Sequence, residues 1–403
     1  MWVTPQIISQ KKLNSQLTNN HHMKINFKIT VLLLLFMVSA ISCEKKEEVE
    51  KQVNEETLTL KSAFSNDFFI GSAVNDNHIN GKDTLALQLI EKEFNTLTPE
   101  NIMKWMNIHP EENTFNYNMS DQYVALGEKN NMHIVGHTLV WHSQLAPYIN
   151  TISDSATMAD NLKSHINTIV GKYKGRIHSW DVVNEALNED GTLRESVFLK
   201  VMGKDYINYA FQLAALADPA AELNYNDYNL WKPEKRAGVV QLVKDLQAKG
   251  TKIDGVGMQA HWSLEGPSLE DIENSIIAYS DLGVKVMFTE LDVTVLPNPW
   301  DLNGAAVEQS YEQFEGDPKM NPYPNTLPDS IQNKLAKRYE DIFNLFLKHK
   351  DKISRVTFWG VHDGQSWLND WPIKGRTNHP LLFDRKLNPK KAYQQIIELK
   401  KQN

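Results

Sequence analysis

Eight short apolar runs alternate with longer segments of helical periodicity, and this alternation constrains the fold more than any other feature of the chain. The runs are rich in β-branched and aromatic residues and predict strands at 68–73, 94–97, 133–140, 177–183, 222–225, 255–259, 284–289 and 353–358. Apolar residues at spacings of three and four predict helices between them, among them 158–172, 204–217, 233–249, 269–282 and 329–348. Strand-then-helix alternation favours parallel βα units, and eight such units close most economically into a ring. We therefore expect an α/β fold with a single (β/α)8 TIM barrel.

The composition excludes several classes of function. The chain of 403 residues has 42 Lys and Arg against 50 Asp and Glu, for a formal net charge of −8. A negative chain without a sustained basic block disfavours nucleic acid as a partner, because such affinity comes mainly from neutralising phosphates. The single cysteine excludes an internal disulfide framework and any CxxC-type zinc or redox site. We expect no cofactor and no metal.

Polar and aromatic residues follow the apolar runs with a regularity that the barrel explains. Active sites of this fold lie at the carboxyl ends of the strands, so these residues are expected to meet at one mouth. The residues at the strand ends are Glu100, Asn101, His137, Trp141, Asn184, Glu185, Asp227, Gln259, His261, Glu290, Asp292 and Trp359.

Two of these residues are glutamates at the ends of the fourth and seventh predicted strands. Glu185 lies in WDVVNEA (180–186) and Glu290 in VMFTELD (286–292). Strands three steps apart in an eight-stranded ring can face each other across the mouth. Two opposed carboxylates, one protonated and one ionised, are the groups that cleave a glycosidic bond. A lone glutamate at a strand end would more simply cap a helix or form an ion pair with a neighbouring lysine or arginine. Two glutamates at corresponding strand ends, beside Asn184, favour catalysis instead.

Six segments, in order, give the chain a specific resemblance. They are FNTLTPENIMKWMNIHP (94–110), GHTLVWHSQ (136–144), WDVVNEA (180–186), NYNDYN (224–229), GMQAHW (257–262) and FTELDV (288–293). Together they resemble the signatures of glycoside hydrolase family 10, which consists chiefly of retaining endo-β-1,4-xylanases. The resemblance extends over about 64–399 and implies xylan and xylo-oligosaccharides as substrates.

The resemblance also implies roles for individual residues. Glu185 would be the acid/base and Glu290 the nucleophile. Glu100, Asn101 and Lys104 would hold sugars on the non-reducing side. The sugar under attack would be surrounded by His137, Trp141, Asn184 and Gln259. Glu290 would be oriented by His261 with Asp292 behind it, the apolar wall would be Trp359 and Trp367, and Asp227 would be a structural hydrogen-bonding group.

Other interpretations remain open at this level. Trp105 and Trp180 are expected to pack in the core, and the spacing of His137 and His142 is weak evidence for a metal site. One alternative is a barrel that binds glycan without cutting it, which the presence of both carboxylates disfavours. A second alternative is the same mechanism acting on cellulose or a mixed-linkage glucan, and the sequence discriminates poorly between these substrates.

Two features depart from the family pattern. The segment 296–328 is long for a connection after a barrel strand, and long ordered loops are usually functional. Its aromatic residues either extend the sugar groove or pack on the barrel, with equal support; they are Trp300, Tyr311, Phe314 and Tyr323. His362 stands where a smaller polar residue is expected, a departure that concerns product-side binding.

The N-terminal part has the pattern of a bacterial lipoprotein signal. From Met23 the chain carries two lysines, an apolar run at 29–38 and small residues before Cys43. The run is too short to span a membrane, which takes about 20 residues. We expect translation from Met23, a signal cleaved within 1–43, lipid on Cys43 and a charged tether at 44–63. The catalytic domain would be 64–403, exported as a monomer that contacts the membrane only through its lipid anchor. The acidic tether is consistent with display at the cell surface.

Overall fold

The computed structural model describes residues 58–302 and 304–401. Within this part the strands are β1 (Phe69–Val74), β2 (Thr96–Pro99), β3 (His133–Trp141), β4 (Ser179–Asn184), β5 (Glu222–Asp227), β6 (Gly255–Met258), β7 (His261–Ser263), β8 (Lys285–Thr294) and β9 (Ile353–Phe358). Every strand except β7 pairs in parallel with both neighbours, and β1 pairs with β9 to close the ring. The predicted (β/α)8 barrel is confirmed.

Helices connect the strands and cover the outside of the barrel. In the described residues they are α1 (Leu60–Ala63), α2 (Asp76–Ile79), α3 (Thr84–Glu93), α4 (Trp105–Ile108), α5 (Asn118–Lys129), α6 (Ser155–Lys172), α7 (Val197–Met202), α8 (Asp205–Ala217), α9 (Pro233–Ala248), α10 (Leu269–Ser280), α11 (Asp329–Lys348) and α12 (Lys391–Lys401). Short 3-10 helices lie at Pro147–Thr151, Glu312–Phe314, Asp363–Gln365 and Trp367–Asn369. The five helices predicted from periodicity are present with boundaries shifted by a few residues.

Most strand boundaries differ from the prediction by one or more residues, and for two of them the physical reason is clear. Phe94 was assigned to the second strand, but it ends α3 and its backbone N–H donates to the carbonyl of Ile90. Strand β8 extends through Glu290 to Thr294, beyond the predicted end at 289. Its polar residues interrupt the apolar run, yet they are buried because they have partners at the mouth. The three-residue strand β7 was not predicted, and it aligns His261 with Asp292 of β8.

The predicted core tryptophans are buried. Trp180 on β4 is 1% exposed, and Trp105 is 3% exposed and stacks on His165 with ring centroids 3.6 Å apart. The indole of Trp180 lies so close to β3 that a Cβ atom at Gly136 would come within 2.1 Å of it. Glycine at 136 is therefore required by the packing of the adjacent strand.

The domain begins earlier than predicted. Helix α1 lies within the stretch assigned to the tether, but Leu60 is fully buried and its N–H donates to Glu93 Oε2 at 2.9 Å. Thr59 caps this helix in a reciprocal arrangement with Ser62. The prediction is therefore wrong for residues 58–63, which belong to the barrel domain. The predicted signal, Cys43 and the rest of the tether lie outside the described residues. No helix in the described part is long and apolar enough to cross a membrane.

Candidate active site

Both glutamates line one cleft of about 180 Å³ at the carboxyl ends of the barrel strands. The cleft also holds the other residues predicted to contact sugar, which are Glu100, Asn101, Lys104, His137, Trp141, Asn184, Gln259, His261, Trp359 and Trp367. Asp227 and Asp292 are buried behind this lining. Sequence reasoning missed three lining residues, which are Gln144, Ala305 and Val307.

The backbone of Glu185 is held in an unusual conformation just after β4. Its φ of 56° lies in the left-handed region, which a residue other than glycine occupies only when its surroundings determine it. Its N–H donates to the carbonyl of Asn226 at 2.8 Å, and its carbonyl accepts from Arg194 Nε at 2.9 Å. The next N–H, of Ala186, donates to the hydroxyl of Tyr225 at 3.1 Å. These bonds fix the direction in which the carboxyl group points.

Side-chain amides connect the two carboxyl groups across the cleft. Gln259 Nε2 and Asn184 Nδ2 donate to Glu185 Oε1 at 2.9 and 3.2 Å. Asn226 Nδ2 donates to Asn184 Oδ1 and to Glu290 Oε1, both at 2.9 Å. The sequence places Asn226 at the end of the fifth strand without giving it a role, although it lies in NYNDYN at a position that alternation directs into the barrel. The amides hold both glutamates in one hydrogen-bonded network.

The surroundings of Glu185 favour its protonated form. Burial, followed by the charge of Asp227, raises the pKa of Glu185 to about 7, against opposing hydrogen bonds from Gln259 and Trp141. Trp141 Nε1 donates to Glu185 Oε2 at 2.8 Å. The charge of Glu290 also raises this pKa, but it contributes less than burial and Asp227.

The surroundings of Glu290 favour its ionised form. Burial by itself raises the pKa of Glu290, but the hydrogen bond from His261, the charges of His137 and His261, and the bond from Asn226 together lower it below its ordinary value. His261 Nε2 lies 3.2 Å from Glu290 Oε2. The two carboxyl groups thus have unlike proton affinities in one cleft.

His261 is kept in its charged form by a second carboxylate. Its Nδ1 lies 3.1 Å from Asp292 Oδ1. Burial lowers the pKa of His261, but the charge of Asp292 and the contacts with both carboxylates raise it to about 10. Trp367 Nε1 donates to Asp292 Oδ2 at 2.8 Å, so this indole is both a wall of the cleft and a support for the His261 pair.

Asp227 lies behind Glu185 in a buried charged cluster. It accepts from the hydroxyl of Tyr225 at 2.5 Å and pairs with Lys235 at 2.8 Å. Lys235 is fully buried and also contacts Glu189 at 3.1 Å. Sequence reasoning missed Lys235, although a signal exists: it occupies the apolar stripe of α9, four residues before Val239. A lysine in such a stripe indicates a buried charged partner.

The side of the cleft after β2 carries a third group of polar residues. Lys104 Nζ donates to Asn101 Oδ1 at 2.9 Å and lies 5.0 Å from the ring centroid of Trp141. Burial lowers the pKa of Lys104 and raises that of Glu100. His137 pairs with Asp181 at 2.9 Å and presents its ring to Trp359.

The histidine pair considered for a metal does not converge. His137 faces the cleft, whereas His142 is not part of its lining, and burial lowers the pKa of His142 to about 3. In the described residues there is no group of three or more His, Cys, Asp or Glu side chains that could hold a metal ion.

The long segment after β8 contributes to the mouth through different residues from those expected. Tyr311 is buried and stacks on Phe314 of the same connection, with ring centroids 6.3 Å apart, whereas Tyr323 packs against the core. Trp300 is 95% exposed. None of the four aromatic residues lines the cleft, whereas Ala305 and Val307 do. His362 is 8% exposed, accepts from the N–H of Gly364 and does not line the cleft.

Comparisons with known proteins place these observations in a family context. A family model described as Glycosyl hydrolase family 10 matches residues 59–399. The chain is 43% identical over 346 residues to Endo-1,4-beta-xylanase A of Xylanibacter ruminicola, covering 85% of this chain and 93% of that protein. It is 37% identical over 374 residues to a Beta-1,4-xylanase of Dictyoglomus thermophilum, covering 92% and 98%. A GH10 endoxylanase retrieved from a sugarcane soil metagenome has a similar structure, with a TM-score of 0.80, 44% identity and coverage of 85% of this chain and 99% of that chain.

Proposed function

The chain belongs to glycoside hydrolase family 10, and from this premise we propose that it is an endo-β-1,4-xylanase. It hydrolyses internal β-1,4-xylosidic bonds of xylan with retention of configuration. The observation that supports this most strongly is the pair of glutamates with opposite pKa shifts in one cleft. Retention requires one carboxylate to attack carbon while the other carboxyl group gives up a proton.

The first half of the reaction uses both groups together. The ionised Glu290 attacks the anomeric carbon and forms a covalent ester with the sugar. The protonated Glu185 donates its proton to the departing glycosidic oxygen, so the bond to the leaving sugar breaks without releasing an alkoxide. Because the pKa of Glu185 is raised to about 7, the group keeps its proton at mildly acidic pH and still holds it in about half of the molecules at neutral pH.

The second half reverses the role of Glu185. Once Glu290 is esterified its negative charge is gone, which removes one of the influences that raise the pKa of Glu185. Glu185 then takes a proton from water as the water attacks the anomeric carbon. The ester bond breaks and Glu290 leaves as a carboxylate, so both groups return to their starting states.

The remaining cleft residues bind the sugar and support the glutamates. Asn184 is positioned beside Glu185 and Asn226, where its amide can contact the 2-hydroxyl of the sugar under attack. Glu100, Asn101 and Lys104 hold sugars on the non-reducing side. Trp359 and Trp367 supply flat apolar surfaces for the CH faces of the rings.

The stereochemistry of the first product tests the mechanism directly. The enzyme is mixed with xylohexaose, and the anomeric proton signals are followed by NMR before mutarotation equilibrates them. The β-anomer is expected to appear first. Initial formation of the α-anomer would show inversion and would overturn the proposal.

The choice of xylan over glucan needs a separate measurement. A glucose unit carries a hydroxymethyl group that must fit beside Glu100, Lys104 and Trp359. We expect kcat/KM to be higher on a 4-nitrophenyl xylobioside than on the matching cellobioside, which has the same leaving group. Equal or reversed values would contradict the preference for xylan.

We further propose that the enzyme is exported and anchored through lipid on Cys43, with translation from Met23. The basic, apolar and small-residue order of 23–43 supports this proposal. Expression in a bacterial host with labelled palmitate should label the protein and place it in the membrane fraction. Cys43→Ala should remove both properties, and an unlabelled wild-type protein would contradict the anchor.

We also propose that the enzyme acts as a monomer. The large exposed apolar side chains of the described part lie on separate elements, such as Leu85 on α3, Leu216 on α8 and Ile277 on α10. Light scattering of the chain without residues ahead of 58 should give the mass of one copy, and a dimer mass would refute this.

A further inference from the structure

Residues 304–309 (Gly-Ala-Ala-Val-Glu-Gln) cross the mouth of the barrel within the long connection from β8 to α11, and we call this segment the strap. Ala305 and Val307 line the catalytic cleft. Gly304 lines a second cavity of about 340 Å³ together with Trp231 and Trp371. The other strap residues line a third cavity of about 410 Å³; they are Ala306, Glu308 and Gln309. One short segment therefore separates three cavities at the mouth.

The strap reaches from the β8 side of the mouth to the loops that follow β4 and β5. At Gly304, where φ is 62°, an added Cβ atom would come within 2.3 Å of Asn229 Nδ2. Ala305 and Ala306 are 2% and 6% exposed and form a small apolar cluster with Tyr228. The strap is thus packed directly onto the residues that follow β5.

The far end of the strap meets a cation after β4. Glu308 Oε1 lies 3.6 Å from Arg194 Nη1. Arg194 in turn donates to the hydroxyl of Tyr228 at 2.7 Å and to the carbonyl of Glu185 at 2.9 Å. Arg194 therefore connects Glu308 of the strap to the backbone carbonyl of Glu185, the proposed acid/base.

This position lies on the leaving-group side of the reacting bond. Glu100 and Lys104, which hold the non-reducing side in the proposed function, follow β2. In the ring of eight strands, β6 lies opposite β2. The strap runs past the end of β6, from the connection that follows β8 to the loops that follow β5 and β4. A xylan chain that enters beside Lys104 must leave the cleft toward the strap.

We propose that the strap limits the leaving-group side of the cleft to a short sugar segment. Short xylo-oligosaccharides are cleaved with the strap in place, whereas a long chain binds on that side only when the strap is displaced. This inference rests on the proposed function, because that function defines which side is the leaving-group side.

The strap is fastened by hydrogen bonds at both flanks, whereas its own contacts are made by small apolar side chains and one exposed ion pair. Before it, Arg376 Nη1 donates to the carbonyl of Pro297 at 2.9 Å, and after it the N–H of Tyr311 donates to the carbonyl of Pro372 at 3.1 Å. Within the strap, the buried apolar contacts are made by Ala305 and Ala306. The carboxylate of Glu308 is 58% exposed, so salt screens its pair with Arg194.

The test compares a long substrate with one that has a small leaving group. In one variant two glycines replace residues 304–309. The kcat/KM is measured on unbranched xylan and on a 4-nitrophenyl xylobioside, which needs no sugar on the leaving-group side. The ratio of xylan to xylobioside activity is expected to rise by roughly threefold or more, since obstruction is removed for the long substrate alone. An unchanged or lower ratio would overturn the proposal.

A second measurement keeps the test decisive if the shortened loop misfolds. Wild-type enzyme is given xylohexaose labelled at its reducing end, and the labelled fragments are sized. Labelled xylose and xylobiose should dominate, and a majority of longer labelled fragments would contradict the strap. Glu308→Gln should raise the xylan to xylobioside ratio in the same direction, while Glu312→Gln, an exposed change in the same connection, should leave it unchanged. If wild-type enzyme cleaves neither substrate, the proposed function itself fails.

Discussion

The β4 and β8 sides of the barrel mouth present the same amino acid in opposite electrostatic surroundings. Glu185 has a carboxylate behind it, Asp227, whereas Glu290 has the imidazole of His261 beside it. Burial alone raises the pKa of both glutamates. The neighbours decide the outcome, because Asp227 adds to the effect on Glu185 and His261 reverses it on Glu290.

The difference shows that the proposed roles are set by the residues beside and behind the two glutamates. On the β4 side Asp227 forms an ion pair with Lys235 at 2.8 Å. The positive charge of Lys235 partly offsets the effect of Asp227 on the pKa of Glu185. On the β8 side Asp292 keeps His261 charged. Exchanging or removing these neighbours should convert one side toward the properties of the other.

The largest effect is expected when the nucleophile is removed. Glu290→Gln keeps the shape of the side chain but cannot form the glycosyl ester, so xylan turnover should fall by about 10⁴-fold or more. Reducing-sugar release measures this. Glu270→Gln, an exposed change on α10, serves as the control and should retain full activity. Substantial turnover in Glu290→Gln would exclude Glu290 as the nucleophile.

Glu185→Gln should have the next largest effect, and its size should depend on the leaving group. Loss of general acid catalysis should reduce xylan turnover by about 10²–10⁴-fold. A 4-nitrophenyl leaving group needs little protonation, so formation of the glycosyl-enzyme from such a xylobioside should be less impaired. Pre-steady-state release of nitrophenol separates the two steps. Equal losses on both substrates would contradict the acid role, and exposed Glu195→Gln provides the matched control.

His261→Gln should make the β8 side resemble the β4 side. Loss of the imidazolium removes the main influence that lowers the pKa of Glu290, so that pKa should rise. Because Glu290 must be ionised to attack, the acidic limb of kcat/KM should move to higher pH. Activity at neutral pH should fall by roughly tenfold through poorer orientation of Glu290. An acidic limb that stays in place would show that His261 has only a packing role.

Asp227→Asn should give the smallest effect, and it should move the alkaline limb of the pH profile of kcat/KM. In the wild type, activity should be lost as pH rises through about 7, because Glu185 then loses the proton that it must donate. Removing the charge of Asp227, and leaving Lys235 without this partner, should lower the pKa of Glu185. The alkaline limb should therefore move to lower pH. Exposed Asp281→Asn is the control, and a limb that moves to higher pH would refute this electrostatic account.

Much of the fold was predictable because its signals are local. The parallel strands are short apolar runs and the helices have clear periodicity, so both can be read without knowledge of distant contacts. The extension of β8 through Glu290 and the short strand β7 were missed because their polar residues are buried by partners far away in sequence. The helix α1 was missed for the same reason, since Leu60 lies in a charged stretch and is buried only by tertiary packing.

The cleft lining was predicted well because each residue belongs to a motif at a strand end. The residues behind it were harder to find. Lys235, Arg194 and Asn226 act through contacts with Asp227, Glu185 and Glu290 that join different loops and strands. The length of the connection 296–328 indicated a functional loop, but the strap within it could not be located, because alanine and glycine carry no chemical signal and their importance comes from where the loop passes.

Glu93 joins the beginning and the end of the barrel domain. Its carboxylate accepts from the backbone of Leu60 in α1 and, at 3.0 Å, from the hydroxyl of Tyr393 in α12. The described part of the chain is therefore closed into a circle twice, by the pairing of β1 with β9 and by this shared carboxylate. A circular permutant that joins residue 401 to residue 58 and opens the chain elsewhere would keep every strand beside its present neighbours.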